Sequence, residues 1–434
     1  MPDLVTIGHG VGRVYELPIP LWAYLLGAAA TVLASFLIRA FSRTTRPIPD
    51  ERTLAGPGFG RGATASLRVA AIVLLLLALV SGVVLREVGN NATTLLFWVA
   101  LIVGVTALSA LVAGAWEAAD PWAAIERFYR VEGAEVTERV PPAWLGPLLV
   151  FALFWFELVS GADRDPFWVV GAIVGYSLYS FLFRASFGDK WALADPLSIL
   201  FGFAGRSAPL RLSADGLSYK GPLRGLEQEE PMPIGLYASV FALLGATTFD
   251  NLSETVGWSD FLATSGLDAL PTMLVETVAL AVLGLPFLAT FMAAVWVAHR
   301  WIGRSRTVGD IGRYFGWSLI PIGVAYVLAH NTPLIITGVP ELVRAISDPF
   351  ERGWNLLGTA DAFHTFVASP KVVWFLEIAF IVIGHVIAVM AAHRAAVRLA
   401  DSHEAAVKSQ YALTVLMSAY TITTLWLLAQ PLVS

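Results

Sequence analysis

Along the chain, apolar residues come in long blocks separated by short polar joints, rather than alternating at the periods of strands or half-buried helices. Ten blocks reach or approach the roughly 17–25 residues needed to cross the hydrocarbon of a bilayer. They are Leu17–Ile38, Ser66–Leu85, Thr93–Gly114, Ala143–Ser160, Pro166–Arg184, Pro233–Thr248, Thr272–Ala298, Tyr314–His330, Lys371–Ala392 and Tyr411–Leu428. The sixth and eighth are the shortest. Pro286 and Pro321 fall inside the seventh and eighth, where a missing donor and a clash with the preceding turn predict kinks. The pattern predicts an all-α, polytopic transmembrane helical bundle of about ten spans.

The charge pattern orients it. The joints after odd-numbered blocks hold 22 of the 28 basic residues, from Arg39 to Lys408, and the other joints hold Arg13, Arg86, Arg164, Arg344, Arg352 and Lys371. Basic residues stay on the cytoplasmic side, so both termini are expected outside. Composition agrees with lipid as the solvent. The chain is 57% hydrophobic but only 14% charged, against about 25% charged in soluble domains. Residues 1–434 are therefore expected to form a single integral membrane domain, multi-pass in a bacterial cytoplasmic membrane, with the lipid bilayer as its first partner. The 15 Trp and 11 Tyr suit interfacial belts. Cysteine is absent, which excludes disulfides and thiolate sites. No basic patch of the nucleic-acid kind is present. Met1–Glu16 lacks a basic stretch followed by an apolar one and does not read as a cleavable signal.

Two joints resemble each other. Trp116-Glu-Ala-Ala-Asp120-Pro121 and Trp191-Ala-Leu-Ala-Asp195-Pro196 share W-x-x-A-D-P. Asp caps free amides and Pro suits the first helical position, so each should start a short interfacial helix. The match suggests a duplicated helical hairpin, residues 66–130 and 143–206. In the cytoplasmic loop 185–232, Asp215-Gly216 between short alternating runs signals a β-hairpin. Glu227–Glu230 reads as a solvated acidic run, and Gly58-Phe-Gly60-Arg-Gly62 as a flexible linker. The outer loop 331–370 is expected to fold over the outer face as one or two short helices.

Carboxylates at membrane depth are costly and become functional candidates by default. Glu157, Glu276 and Glu377 all fall in the outer half on this topology. Asp250, His330, His364 and His9 lie at or beyond the outer ends of spans, and the joint between spans six and seven carries Asp250, Glu254, Asp260 and Asp268 with no base. Such a set can hold a divalent transition metal through His9, Asp250, His330 and His364. A metal there could activate water, with Glu157 or Glu377 as base. Alternatively Glu157, Glu276 and Glu377 form a proton path. Each also has a plain structural role open to it: a cap for Asp250, packing for each His, an interhelical hydrogen bond for each Glu. Gly384 would let a flat group approach His385, but His330 lies near the surface and His385 mid-membrane, which disfavours a haem clamped between them. Steps of eight residues turn Glu377, His385 and His393 away from a common helix face, and His299, His393 and His403 read as solvated among arginines. No P-loop, nucleophile elbow, H-E-x-x-H or dinucleotide fingerprint occurs.

Several segments resemble a bacterial multispan membrane protein family that carries the name fenitrothion hydrolase. They are His9-Gly-Val-Gly12-Arg13 with Leu17-Pro-Ile-Pro20-Leu-Trp22, Thr247–Glu254, Ser318-Leu-Ile-Pro321 through Ala329-His330, Asp348-Pro349 through Arg352-Gly-Trp354, and Ser409-Gln410-Tyr411 with Ala419-Tyr420-Thr421. The resemblance spans nearly the whole chain. It implies an inner-membrane protein and a hydrolase of organophosphate esters, and it carries over no catalytic residue. Many members have a signal peptide ending just before the His-Gly, whereas eight residues precede His9 here.

Three functions are therefore expected in parallel. One is a membrane hydrolase with an outward-facing His/carboxylate metal site, acting on phosphate or related esters. The second is a proton- or cation-coupled transporter or channel. The third is a membrane subunit or assembly factor of a respiratory or metal-handling complex, with membrane protein partners.

Overall fold

The computed structural model describes residues 20–41, 48, 50–85, 91–129, 139–303, 306–359 and 369–430. The chain begins with α1 (Leu21–Phe41), β1 (Arg52–Ala55) and α2 (Pro57–Val84). Next, α3 (Ala92–Leu95), a π-helical stretch Leu96–Gly104 and α4 (Val105–Leu111) form one continuous helix. Then follow β2 (Val112–Ala113), α5 (Ala115–Ala119), α6 (Pro121–Tyr129), α7 (Leu145–Leu158) and α8 (Pro166–Phe187). A 3-10 turn leads to α9 (Pro196–Arg206), β3 (Leu210–Ser213) and β4 (Gly216–Tyr219). The remainder is helical: α10 (Ile234–Ser253), α11 (Val256–Ser265), α12 (Ala269–Val282), α13 (Gly284–Ile302), α14 (Val308–His330), α15 (Thr332–Ser347), α16 (Pro370–Leu399), α17 (His403–Ser409) and α18 (Tyr411–Leu428).

This is an all-α bundle, and eight of its helical segments are long and apolar enough to cross a membrane. The protein is a multi-pass membrane protein. Each of the ten apolar blocks holds helix. The two outside the eight are α7, apolar but only 14 residues long, and α10, whose carboxyl end carries Asp250, Asn251 and Ser253. The seventh block is interrupted at Leu283, three residues before Pro286, whereas α14 runs through Pro321 unbroken. Between α14 and α16, the described residues hold the single helix α15.

α14 is the hub, with 83% of its most apolar window buried. Small residues let neighbouring backbones approach it, as lipid-embedded helices require. A Cβ placed on Gly384 of α16 would stand 2.3 Å from Ala325 Cβ and 2.7 Å from Pro321 O. The space that sequence reasoning reserved for a flat cofactor at Gly384 is thus occupied by α14. His385 beside it is fully buried, its Nδ1 2.8 Å from Ile381 O.

The arginine-rich end is closed by a four-stranded sheet in the order β1-β4-β3-β2. The expected hairpin is present as β3–β4, paired from Leu210–Tyr219 to Ser213–Gly216, so its two-residue loop is Ala214-Asp215. Gly216 (φ 134°) then lets β1 pass, since a Cβ there would stand 2.0 Å from Ala55 O. The Gly58–Gly62 segment is not a linker. It opens α2 directly behind β1, and a Cβ on Gly60 would collide with Ser213 O at 2.3 Å. Glu227 is not merely solvated either, because its Oε1 accepts from Arg394 Nη2 at 2.8 Å and Nε at 3.1 Å.

The two W-x-x-A-D-P motifs cap helices as expected. Asp120 Oδ1 accepts from the amides of Trp122 (2.9 Å) and Ala123 (3.1 Å), and Asp195 Oδ2 from that of Ser198 (2.7 Å). They also interlock. Trp116 Nε1 donates to Ser198 Oγ at 3.3 Å, and Tyr176 donates to Asp195 at 2.9 Å. The buried Arg184 pairs with Asp120 and Glu126 while its guanidinium lies 3.9 Å over Trp191.

Candidate functional site

The site lies at the end of the bundle opposite the sheet. α10 does not stop at Thr248 as its apolar pattern suggests. It continues to Ser253, and Thr255 immediately caps α11 by accepting from Trp258 N. Glu254 sits in this one-turn joint, four residues after Asp250, a spacing that puts both carboxylates on one side. α14 ends at His330, where Asn331 Nδ2 and Thr332 Oγ1 return to the carbonyls of Val327 and Leu328 and turn the chain into α15.

These two helix ends meet. His330 Nε2 is 2.9 Å from Asp250 Oδ2. His330 Nδ1 is 3.1 Å from Asn251 Nδ2, which also reaches Thr247 O at 3.3 Å. One ligating atom from each of Asp250, Glu254 and His330 lies within 4.8 Å of the others. Two further carboxylates look on from other helices: Glu157 of α7 is within electrostatic reach of Asp250, His330 and Asp163, and the buried Glu377 of α16 is within reach of His330. Tyr326, one turn before His330, is buried near Asp250 and Glu254, and its hydroxyl has no hydrogen-bond partner among the described residues.

The joints feel this burial. Glu254 is pushed up to about 7 by desolvation, with His330 opposing and Asp250 adding to the effect. Burial likewise raises Asp163, against the pull of Arg164 3.8 Å away. Its backbone carbonyl accepts from Trp98 Nε1 at 2.8 Å, fixing the α7–α8 joint beside Glu157.

Of the residues singled out in the sequence, Asp250 and His330 therefore meet, and Glu157 and Glu377 lie within electrostatic reach of His330. Glu276 does not join them. It is half-buried on α12, with Trp258 as its polar neighbour. His9 and His364 lie outside the described residues. Glu254 and Asn251 were missed as site residues, and the signal was the D-N-x-x-E spacing across a helix longer than its apolar block. His393, expected to be solvated, is buried and faces Gln410 at the α17–α18 joint, 3.2 Å from its Oε1.

The arrangement can act in two ways. Two carboxylates and one imidazole form a hard-to-intermediate donor set suited to a divalent transition metal. Five interacting titratable groups can also share and pass protons. Compared with protein-family models, with curated proteins and with solved structures, the chain matches none.

Proposed function

We propose that the protein is a membrane metalloprotein that holds one divalent transition-metal ion at the outer face through Asp250, Glu254 and His330. The observation that carries this reading is the convergence of these three donors within 4.8 Å at the meeting of two helix ends. His9 and His364, from the tail and the outer loop, remain candidates to complete the ligand set. The outward orientation rests on the gathering of basic residues at the other end.

A metal in such a site polarises bound oxygen and lowers the pKa of water. The surrounding residues fit hydrolysis: Glu157 or Glu377 would take the proton of a water molecule, and Asn251 would hold the His330 ring. The likeness of Thr247–Glu254 and Ala329-His330 to the fenitrothion hydrolase family favours phosphate esters as substrates. Metal analysis of the detergent-purified chain tests the reading. Near-stoichiometric metal in the wild type, lost in His330→Ala and in Asp250→Asn/Glu254→Gln, is the expected result. Metal-free wild type after growth and purification in metal-supplemented, chelator-free buffer would overturn it.

A second reading is favoured by one further observation. α16 carries Glu377, His385 and His393, all buried, at intervals of eight residues, which is about 12 Å per interval. The His393 ring centroid is 6.2 Å from that of His403, and His385 Nε2 has no hydrogen-bond partner among the described residues. These groups turn around α16 rather than share one face, so water on more than one side of the helix would be needed to connect them into a proton route from the His330 cluster to the arginine-rich end. In this reading the protein is a proton- or cation-coupled transporter. Proton uptake into proteoliposomes that persists undiminished in Glu377→Gln and His385→Ala would remove it. A membrane subunit of a respiratory or metal-handling complex is the third reading, and co-purifying membrane partners would distinguish it.

A further inference from the structure

The end of the bundle away from this site contains a cavity of about 850 Å³ between the start of α2, the end of α9 and the β3–β4 hairpin. Five of its lining residues are cationic: Arg61 and Arg68 from α2, Arg206 from α9, Arg211 from β3, and Lys220 just after β4. Glu117 is the one carboxylate residue in the lining among the described residues. Arg68 Nη2 donates to the backbone carbonyl of Glu117 at 3.4 Å. Arg211 Nη1 reaches Glu51 Oε2 at 3.5 Å, and the Arg211 side chain stays 57% exposed. Arg206 is held by a ring and a carbonyl: its guanidinium lies 4.7 Å from the Trp317 ring and 3.5 Å from Gly225 O. Lys220 is buried with its ammonium 3.0 Å from Gly205 O, and burial together with Arg211 and Arg206 pushes it down to about 8. Like charges are thus crowded in one concave site, where the field on an anion is focused.

Four guanidiniums at one cavity are matched to a particular anion. The planar fork of Arg binds tetrahedral oxyanions with paired, charge-assisted hydrogen bonds. From this geometry we infer that the cavity binds a phosphate ester, held by Arg61, Arg68, Arg206 and Arg211. The ester could come from an anionic lipid headgroup or from a soluble phosphorylated metabolite. The neighbouring residue Trp116 lines a separate apolar cavity of about 470 Å³ between α2, α7 and α8, which could take part of an acyl chain. This inference is independent of the metal site at the opposite end.

The test uses the full-length, delipidated chain in neutral detergent, with two probes. Retention of phosphatidylglycerol against phosphatidylcholine is read by native mass spectrometry, and binding of glycerol 3-phosphate by equilibrium dialysis. Wild type is compared with Arg61→Gln/Arg211→Gln, both exposed positions, and with Arg300→Gln, whose guanidinium stacks on Trp296 elsewhere. We expect at least one probe to bind at one per chain, to weaken with salt, and to lose tenfold or more in the double variant but not in Arg300→Gln. Phosphatidylglycerol alone binding identifies the lipid source, and glycerol 3-phosphate binding identifies the soluble one. If the double variant does not fold, Arg61→Gln alone carries the comparison. Binding of neither probe, or equal binding by wild type and the Arg61 variants, overturns the inference.

Discussion

Asn251 stands one residue beyond Asp250, and its side-chain amide lies 3.1 Å from the nitrogen of His330 that faces away from that carboxylate. The two ring nitrogens are therefore assigned different tasks. With the amide nitrogen towards the ring, Nδ1 accepts and Nε2–H donates to Asp250, the arrangement of a metal-free site. If the amide rotates, Asn251 Oδ1 accepts from Nδ1–H and frees Nε2 as a ligand. Outer partners of this kind orient metal-bound imidazoles. Asn251→Ala should weaken divalent-metal binding by about 10–100-fold, with helicity unchanged by circular dichroism. Asn251→Asp, which keeps an acceptor, should lose less. Chelator competition checks both, and an affinity untouched by Asn251→Ala would show that His330 is not oriented this way.

Arg184 predicts a stability effect with a built-in control. It is buried and shared between Asp120 and Glu126. Removing one partner of a buried pair strands the other charge, at a cost of about 3–5 kcal/mol, whereas replacing both with apolar residues can be nearly neutral. Arg184→Met should lower the unfolding temperature in detergent sharply, and Arg184→Met/Asp120→Leu should recover much of the loss. Equal damage in both would mean that the Asp120 cap or the Trp191 stack matters more than the charges.

At Gly384 the prediction is steric. Any side chain there drives α16 away from Pro321 and Ala325. Gly384→Ala should cost about 1–3 kcal/mol in thermal unfolding, as overpacking does, and Gly384→Leu more. Ala325→Gly should rescue only part of the alanine variant, since Pro321 O is backbone. A wild-type melting temperature in Gly384→Leu would contradict the close crossing.

Lys220 predicts a pH dependence. Its value of about 8 lies below the ordinary 10.5. The folded chain therefore holds fewer protons than the unfolded chain between these values, and stability contributed by this residue rises as pH goes from about 8 towards 10.5. Burial sets it first, and Arg211 on β3 and Arg206 on α9 add to the effect while Glu51 ahead of β1 opposes it. Anion binding moves the other way. As Lys220 loses its proton between pH 7 and 9, glycerol 3-phosphate or phosphatidylglycerol affinity should fall several-fold more in wild type than in Lys220→Met. Parallel pH profiles would show that Lys220 does not titrate in the cavity.

Much of this was legible in the sequence because lipid leaves little choice. Blocks such as Ser66–Leu85 and Lys371–Ala392 can satisfy their backbones in a bilayer only as helices. The Asp-Pro pairs at 120 and 195 announce their helix starts by local chemistry. Asp250, His330, Glu157 and Glu377 were visible as costly groups inside or bordering apolar runs. Glu254 was not read as their partner, because hydropathy fades at Thr248 while hydrogen bonding carries α10 to Ser253. The strands β1 and β2 were invisible for a different reason. At four and two residues, they have no period of their own and exist only through distant partners. The buried state of His393 likewise depends on Gln410, from the α17–α18 joint.

Those distant partners impose an order in time. Glu51, next to β1, bonds to Ser218, which lies 167 residues later. At translation rates of 5–20 residues per second, that separation is about ten to thirty seconds of synthesis. During that interval α1 and α2 can enter the membrane, but the segment between them has no strand to pair with and Arg61 and Arg68 have no cavity wall. The anion-binding end is thus completed only after the chain has passed residue 220. A ribosome stalled before that point would display the first spans without this end of the protein, and limited proteolysis of such nascent chains should cut near Arg52, a site the finished sheet protects.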